Sequence, residues 1–172
     1  GKAITDYRDE IFKPECGSVT FIDNDSDGTY EVIVIDSAEV VFVGAVDKTN
    51  EVFTDKYSHE SISVHEKDYA VYDSNGEKTE FGSLGEKNVL EVRRTLPVQG
   101  EPWIEIYISD AQKVGEVTRT GSDFIMIDGE KTKVSKTCGE KFETGDYGVF
   151  YLTLGGKVAA FENAEKNYFT YG

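Results

Sequence analysis

Apolar and β-branched residues come along this chain in short runs, broken every few positions by turn-forming chemistry, which is the pattern of strands joined by tight connections. The run 19–22 leads into Asp23-Asn24-Asp25-Ser26-Asp27-Gly28 and the run 30–35 leads out, which predicts a hairpin with an enlarged acidic turn. A further β-branched run spans 39–46. The runs 69–73 and 79–81 flank Asn75-Gly76, where both residues tolerate positive φ. Asp128-Gly129 separates 124–127 from 132–134, and Gly155-Gly156 separates 149–154 from 158–161. Residues 5–12 and 163–166 could each form a helical turn, but neither carries a sustained apolar stripe at 3.6-residue spacing. The expected fold class is all-β.

An internal echo divides the strands. Val43-Gly44-Ala45-Val46 opens one block that closes on the runs 89–93 and 103–108, and Val114-Gly115-Glu116-Val117 opens a second that closes on 149–154 and 158–161. The pattern predicts an N-terminal segment and acidic-loop hairpin over 1–41 that packs on a first β module over 42–110. A second β module over 111–172 follows and includes the start of a further repeat. The two are expected to be small barrels or sandwiches in tandem, because closing a short sheet hides its edges. The junction at 110–114 has no Gly/Ser-rich or Pro-rich linker, so the modules are expected to pack on each other.

Charge narrows the partners. Among 172 residues, 33 Asp and Glu oppose 18 Lys and Arg, a formal net charge of -15. Such a surface repels a phosphate backbone, so nucleic acid and anionic membranes are not expected partners. It suits a salty exterior in which divalent cations relieve self-repulsion. No run of 18 apolar residues occurs, so no direct membrane insertion is expected. The chain starts at Gly1 without an initiator Met and ends on the aromatic run Tyr168-Phe169-Thr170-Tyr171-Gly172, which reads as a piece excised from something longer. Cys16 and Cys138 match no zinc or redox spacing; they read either as two small buried side chains or as a single disulfide.

The acidic turn carries the clearest chemistry. With Asp23 as position 1, carboxylates fall at positions 1, 3, 5 and 9 as Asp23, Asp25, Asp27 and Glu31, with Gly28 at position 6. Alternate residues of a curled loop point inward, and the carbonyl of Thr29 falls at position 7. Hard oxygen donors in that number favour Ca2+ over zinc. Position 12, a bidentate Glu in an EF-hand, is Val34, which favours a β-hairpin version of the site closed by Glu31. The ion is expected to be structural.

Catalysis finds little support. His59 and His65 are the two imidazoles, and His65 is followed by Glu66, yet adjacent strand residues point to opposite faces. No enzyme activity is expected. A second candidate surface lies on 103–107, where Trp103, Glu105 and Tyr107 share one strand face and Ile104, Ile106 and Ile108 the other. Two aromatics with a carboxylate between them would suit a carbohydrate or host ligand.

The stretch from Gly17 through the acidic loop to Glu31, followed by Val43-Gly44-Ala45-Val46-Asp47-Lys48-Thr49-Asn50, resembles repeats of large surface proteins of clostridia and related Gram-positive bacteria. Those proteins often also carry S-layer homology domains. Val114-Gly115-Glu116-Val117, Ile127-Asp128-Gly129-Glu130 and Gly145-Asp146-Tyr147-Gly148-Val149-Phe150-Tyr151-Leu152 resemble the small β module that follows in them. The resemblance implies an extracellular, cell-surface setting with neighbouring repeats of a parent protein, and cell-wall or host glycans or proteins, as partners. It implies no activity.

Overall fold

The computed structural model describes residues 12–14, 16–94 and 103–164, and in them strand follows strand. β1 (Cys16–Ile22) and β2 (Val32–Asp47) form the hairpin that holds the acidic turn. β3 (Val52–Asp55), β4 (Ser61–Ser63), β5 (Tyr69–Tyr72), β6 (Lys78–Thr79), β7 (Val89–Arg94) and β8 (Ile104–Ser109) join them in a first sheet, ordered β4-β3-β2-β7-β8-β5-β6 with β1 beside β2. β9 (Gln112–Thr120), β10 (Phe124–Ile127), β11 (Glu130–Lys133), β12 (Tyr147–Leu152) and β13 (Val158–Asn163) form a second, ordered β11-β10-β9-β12-β13. The all-β class holds. Among the described residues no helix is long and apolar enough to cross a membrane.

Several local expectations need correction. The runs 30–35 and 39–46 merge, from Val32 on, into one 16-residue strand, β2, while Tyr30 and Glu31 stay in the turn. Asp36, Ser37 and Ala38 do not break it, because β1 pairs with all three, and Ala38 also pairs with Arg93 on β7. The run 79–81 gives a strand only at Lys78–Thr79, since Phe81 opens a 3-10 turn over Phe81–Ser83 and is buried. Asn163 ends β13 and starts no helical turn, and the remainder of 163–166 beyond Ala164, like most of 5–12, lies outside the described residues. The closing run 168–172 lies outside them too. Cys16 and Cys138 form no disulfide, so the disulfide reading falls.

Period-2 alternation sorts the first sheet into two faces. Val41, Leu90, Val92, Ile104 and Ile106 turn to one side, where Phe53, Val71, Phe81 and Leu84 close over them in a continuous core. Burying each such side chain contributes roughly 1.5–3 kcal/mol. The opposite face presents Ala38, Val40, Phe42 and Val89, which pack against Tyr151, Ala159 and Ala160 of the second sheet. A third cluster, built on Val117, Ile125, Ile127, Phe150, Val158 and Phe161, fills the second sheet itself. That sheet curls until Val134, just past β11, forms a parallel bridge to Val158 on β13.

Polar bonds tie the two sheets as well. Lys87 Nζ donates to Glu162 Oε2 at 2.8 Å and Lys56 Nζ lies 3.7 Å from Glu162 Oε1, while within the second sheet the Tyr151 hydroxyl donates to Glu162 Oε2 at 2.9 Å. Ser109 Oγ donates to the Leu152 carbonyl at 2.7 Å, and the Leu154 amide donates to the buried carboxylate of Glu91 at 3.1 Å. The strand order β4-β3-β2-β7-β8 repeats as β11-β10-β9-β12-β13, antiparallel throughout, with β5 and β6 added to the first sheet through a parallel β5–β8 pairing.

Candidate metal centre and aromatic face

The ends of β1 and β2 deliver the acidic turn. Phe21 and Tyr30 pack across its base with ring centroids 5.2 Å apart, and the Glu31 amide donates to the Ile22 carbonyl at 3.1 Å. Inside the loop the carboxylates bind the loop's own amides. Asp23 accepts from Ser26 N at 2.7 Å and from Gly28 N at 3.0 Å. Asp25 accepts from Asp27 N at 3.2 Å, Asp27 from Thr29 N at 2.7 Å, and Glu31 from Asn24 N at 2.7 Å. Gly28 sits at φ +88°, a conformation in which a side chain would be strained, and Ser26 at φ +62° completes the curl.

The result matches the spacing argument. Asp23, Asp25, Asp27 and Glu31 each bring one carboxylate oxygen to within 4.8 Å of the others, a group that could hold a metal ion. Asp23 is half-buried and the other three are exposed. Among the described residues, none of the four forms an ion pair with Lys or Arg, so their mutual repulsion is relieved within the chain by amide hydrogen bonds alone. Thr29, the fifth sequence candidate, lies in the same loop and is fixed by its amide bond to Asp27.

The second candidate surface is organised differently from a flat platform. Trp103 precedes β8 and is 37% exposed, with Nε1 3.4 Å from Glu105 Oε1; the Tyr107 hydroxyl donates to Glu105 Oε2 at 3.1 Å. Glu105 thus bridges the two aromatics. Burial and then the Glu105 bond push the Tyr107 hydroxyl above the ordinary tyrosine range. Tyr107 stands between neighbours on both flanking strands: Tyr72 of β5 stacks on it at 4.8 Å between centroids, and the Arg93 guanidinium of β7 lies 4.8 Å from its ring. Arg93 also reaches Asp36 at 3.4 Å. Tyr72 and Arg93 were not legible as members of this group, because the parallel β5–β8 pairing that aligns Tyr72 with Tyr107 leaves no local pattern.

His65 turns to Glu51, with Nδ1 3.5 Å from Oε2. Glu51 also accepts from the Tyr69 hydroxyl at 2.6 Å; burial and that bond push Tyr69 up to about 12. His59 occupies an exposed turn at φ +59°. Cys138 is half-buried, and its burial raises the thiol above its usual value. No family model matches the chain, and neither a curated protein nor a solved structure matches it.

Proposed function

We propose that this chain is a non-catalytic structural and interaction module of a bacterial cell-surface protein, with its leading hairpin stiffened by a structural calcium ion. The observation that carries the reading is the convergence of Asp23, Asp25, Asp27 and Glu31 within 4.8 Å at the tip of the β1–β2 hairpin. The donor set fits calcium: hard carboxylate oxygens on a loop curled by Gly28, with Val34 where an EF-hand places its bidentate Glu. A bound ion would cancel the repulsion among the four carboxylates and fix the loop, doing no bond chemistry. The repeated five-strand order supports a tandem-module reading. The net charge of -15 supports an extracellular setting, as does the resemblance to clostridial surface repeats.

Titration calorimetry and thermal melting test this on chelated protein. Calcium at millimolar concentration is expected to release heat and raise the melting temperature. Asp25→Asn is expected to weaken binding at least tenfold while leaving the metal-free melting temperature in place. Absence of both heat and shift would remove the ion from the account.

A second reading, carbohydrate or host-ligand binding through Trp103, Glu105 and Tyr107, is favoured by the exposure of Trp103 beside the Glu105 carboxylate. Tyr72 and Arg93 pack on the Tyr107 ring, which is half-buried, whereas Trp103 is exposed. Screening the protein and its Trp103→Ala variant on a glycan array decides it: a signal lost in the variant supports the reading, and no signal from either ends it.

A further inference from the structure

We propose that the outer edge of β1 is a pairing site for a second copy of this chain, the two β1 strands running antiparallel about a two-fold axis. The proposal stands apart from the calcium reading, since it rests on the strand and not on the loop.

β1 is hydrogen-bonded to β2 along one side, and among the described residues no strand pairs with its other side. Open edges invite pairing, and proteins usually guard them by shortness, charge, proline or closure. Four other strand edges follow that practice. β4 has three residues, β6 has two with Lys78 among them, β11 carries Glu130, Lys131 and Lys133, and β13 is partly closed by the bridge to Val134. β1 has seven residues, Cys-Gly-Ser-Val-Thr-Phe-Ile, with no charge and no proline in a chain that is 30% charged. Its surroundings are equally apolar: Phe21 and Ile22 on β1 and Val32 and Val34 on β2 are all exposed.

Charge and pattern point to a copy of the same strand. Gly17, at φ +120°, leaves Ser18–Ile22 as the regular run. With the two-fold axis at Thr20, Thr20 faces itself, Val19 faces Phe21 and Ser18 faces Ile22, so threonine meets threonine and a β-branched residue meets an aromatic. The seam is uncharged although each molecule carries -15. Antiparallel pairing also sends the two acidic turns to opposite ends. Asp23 of one copy falls beside residue 17 of the other, which separates the two Asp23 positions along the seam by roughly 20 Å at ~3.4 Å per residue. That exceeds the Debye length of ~8 Å at physiological salt. Pairing would continue the ladder that β1 and β2 already form.

Sedimentation equilibrium from micromolar to several hundred micromolar, in physiological salt with calcium and with chelator, tests the proposal. The unmodified chain is expected to dimerise reversibly. Thr20→Lys, which sets two like charges face to face, is expected to weaken the dimer at least tenfold with an unchanged melting temperature, and Val114→Lys, at an exposed position of β9, to dimerise as the unmodified chain does. Amide exchange of the unmodified protein gives a readout independent of the variants: β1 amides are expected to exchange more slowly at high than at low concentration. A monomer throughout the range, a dimer indifferent to Thr20→Lys, or β1 exchange that ignores concentration would overturn the proposal. A peptide from another protein as the true occupant would leave the purified chain monomeric.

Discussion

Aspartate is the residue that organises this molecule locally. Asp47 accepts from Thr49 N and Asn50 N, both at 3.0 Å, and from the Asn50 amide group, which is the main cause holding it below the ordinary carboxylate range. Asp73 accepts from Asn75 N and Glu77 N, and Asp128 from Glu116 N at 3.0 Å. Asp55 reaches farthest, accepting from Tyr57 N at 2.8 Å, Ser58 N at 2.7 Å and, across the β2 bulge, Phe42 N at 3.0 Å. Asp55→Ala would strip acceptors from three amides, and at roughly 1–3 kcal/mol for each buried donor left unpaired, a loss of about 2 kcal/mol or more is expected in denaturant titration. Asn at that position should restore part of it. A loss within ~0.5 kcal/mol would mean that water replaces the carboxylate. Turn chemistry confined to neighbours, such as Asn75-Gly76 or Asp128-Gly129, was legible in the sequence. The Asp55–Phe42 bond was not, because its partners lie 13 residues apart and meet only when the bulge forms. The carboxylates of the acidic turn were legible for the converse reason: every carboxylate–amide bond inside that loop spans seven residues or fewer.

At the scale of elements, alternation located most of the strands and misjudged their limits where neighbours override local preference. β2 reads as two strands because Asp36 and Ser37 interrupt its apolar run; paired with Ser18 and Gly17 of β1, those residues stay extended. Phe81 looks like a strand residue, but burial among Phe53 and Tyr69 draws it into a 3-10 turn. The parallel pairing of β5 with β8 had no sequence signal, since it joins strands separated by β6 and β7. It is also what places Tyr72 against Tyr107 and turns the expected aromatic shelf into a stack. The run 19–22 was legible as a strand, but its place at the edge of the sheet needed the topology.

The whole molecule is held by the meeting of two sheets, and Glu162 is its electrostatic pin. The Lys87 hydrogen bond, followed by the Tyr151 hydroxyl and the Lys56 charge, holds Glu162 below the ordinary glutamate range despite partial burial. The unfolded chain therefore binds the Glu162 proton more readily than the folded one. The stability this group contributes is full above the ordinary value of ~4.3 and is lost as the pH falls through its lower folded value. Melting curves of the unmodified protein and Glu162→Gln should differ at pH 7 and converge toward pH 3. A gap that stays constant would show that the carboxylate's charge has no part in it. The packing of Phe42 against Tyr151, with centroids 5.0 Å apart, should persist in both states.

That shared apolar face also determines how this protein can be divided or rearranged. A cut between β8 and β9 would sever only a short connection. It would nonetheless bare Val40, Phe42 and Val89 on one fragment and Tyr151, Ala159 and Ala160 on the other, leaving each with a surface that clings to whatever it meets. Shuffling, duplication or grafting that respects folding must carry both sheets together. The heritable brick of such a chain is the pair, even though the strand order within it is written twice.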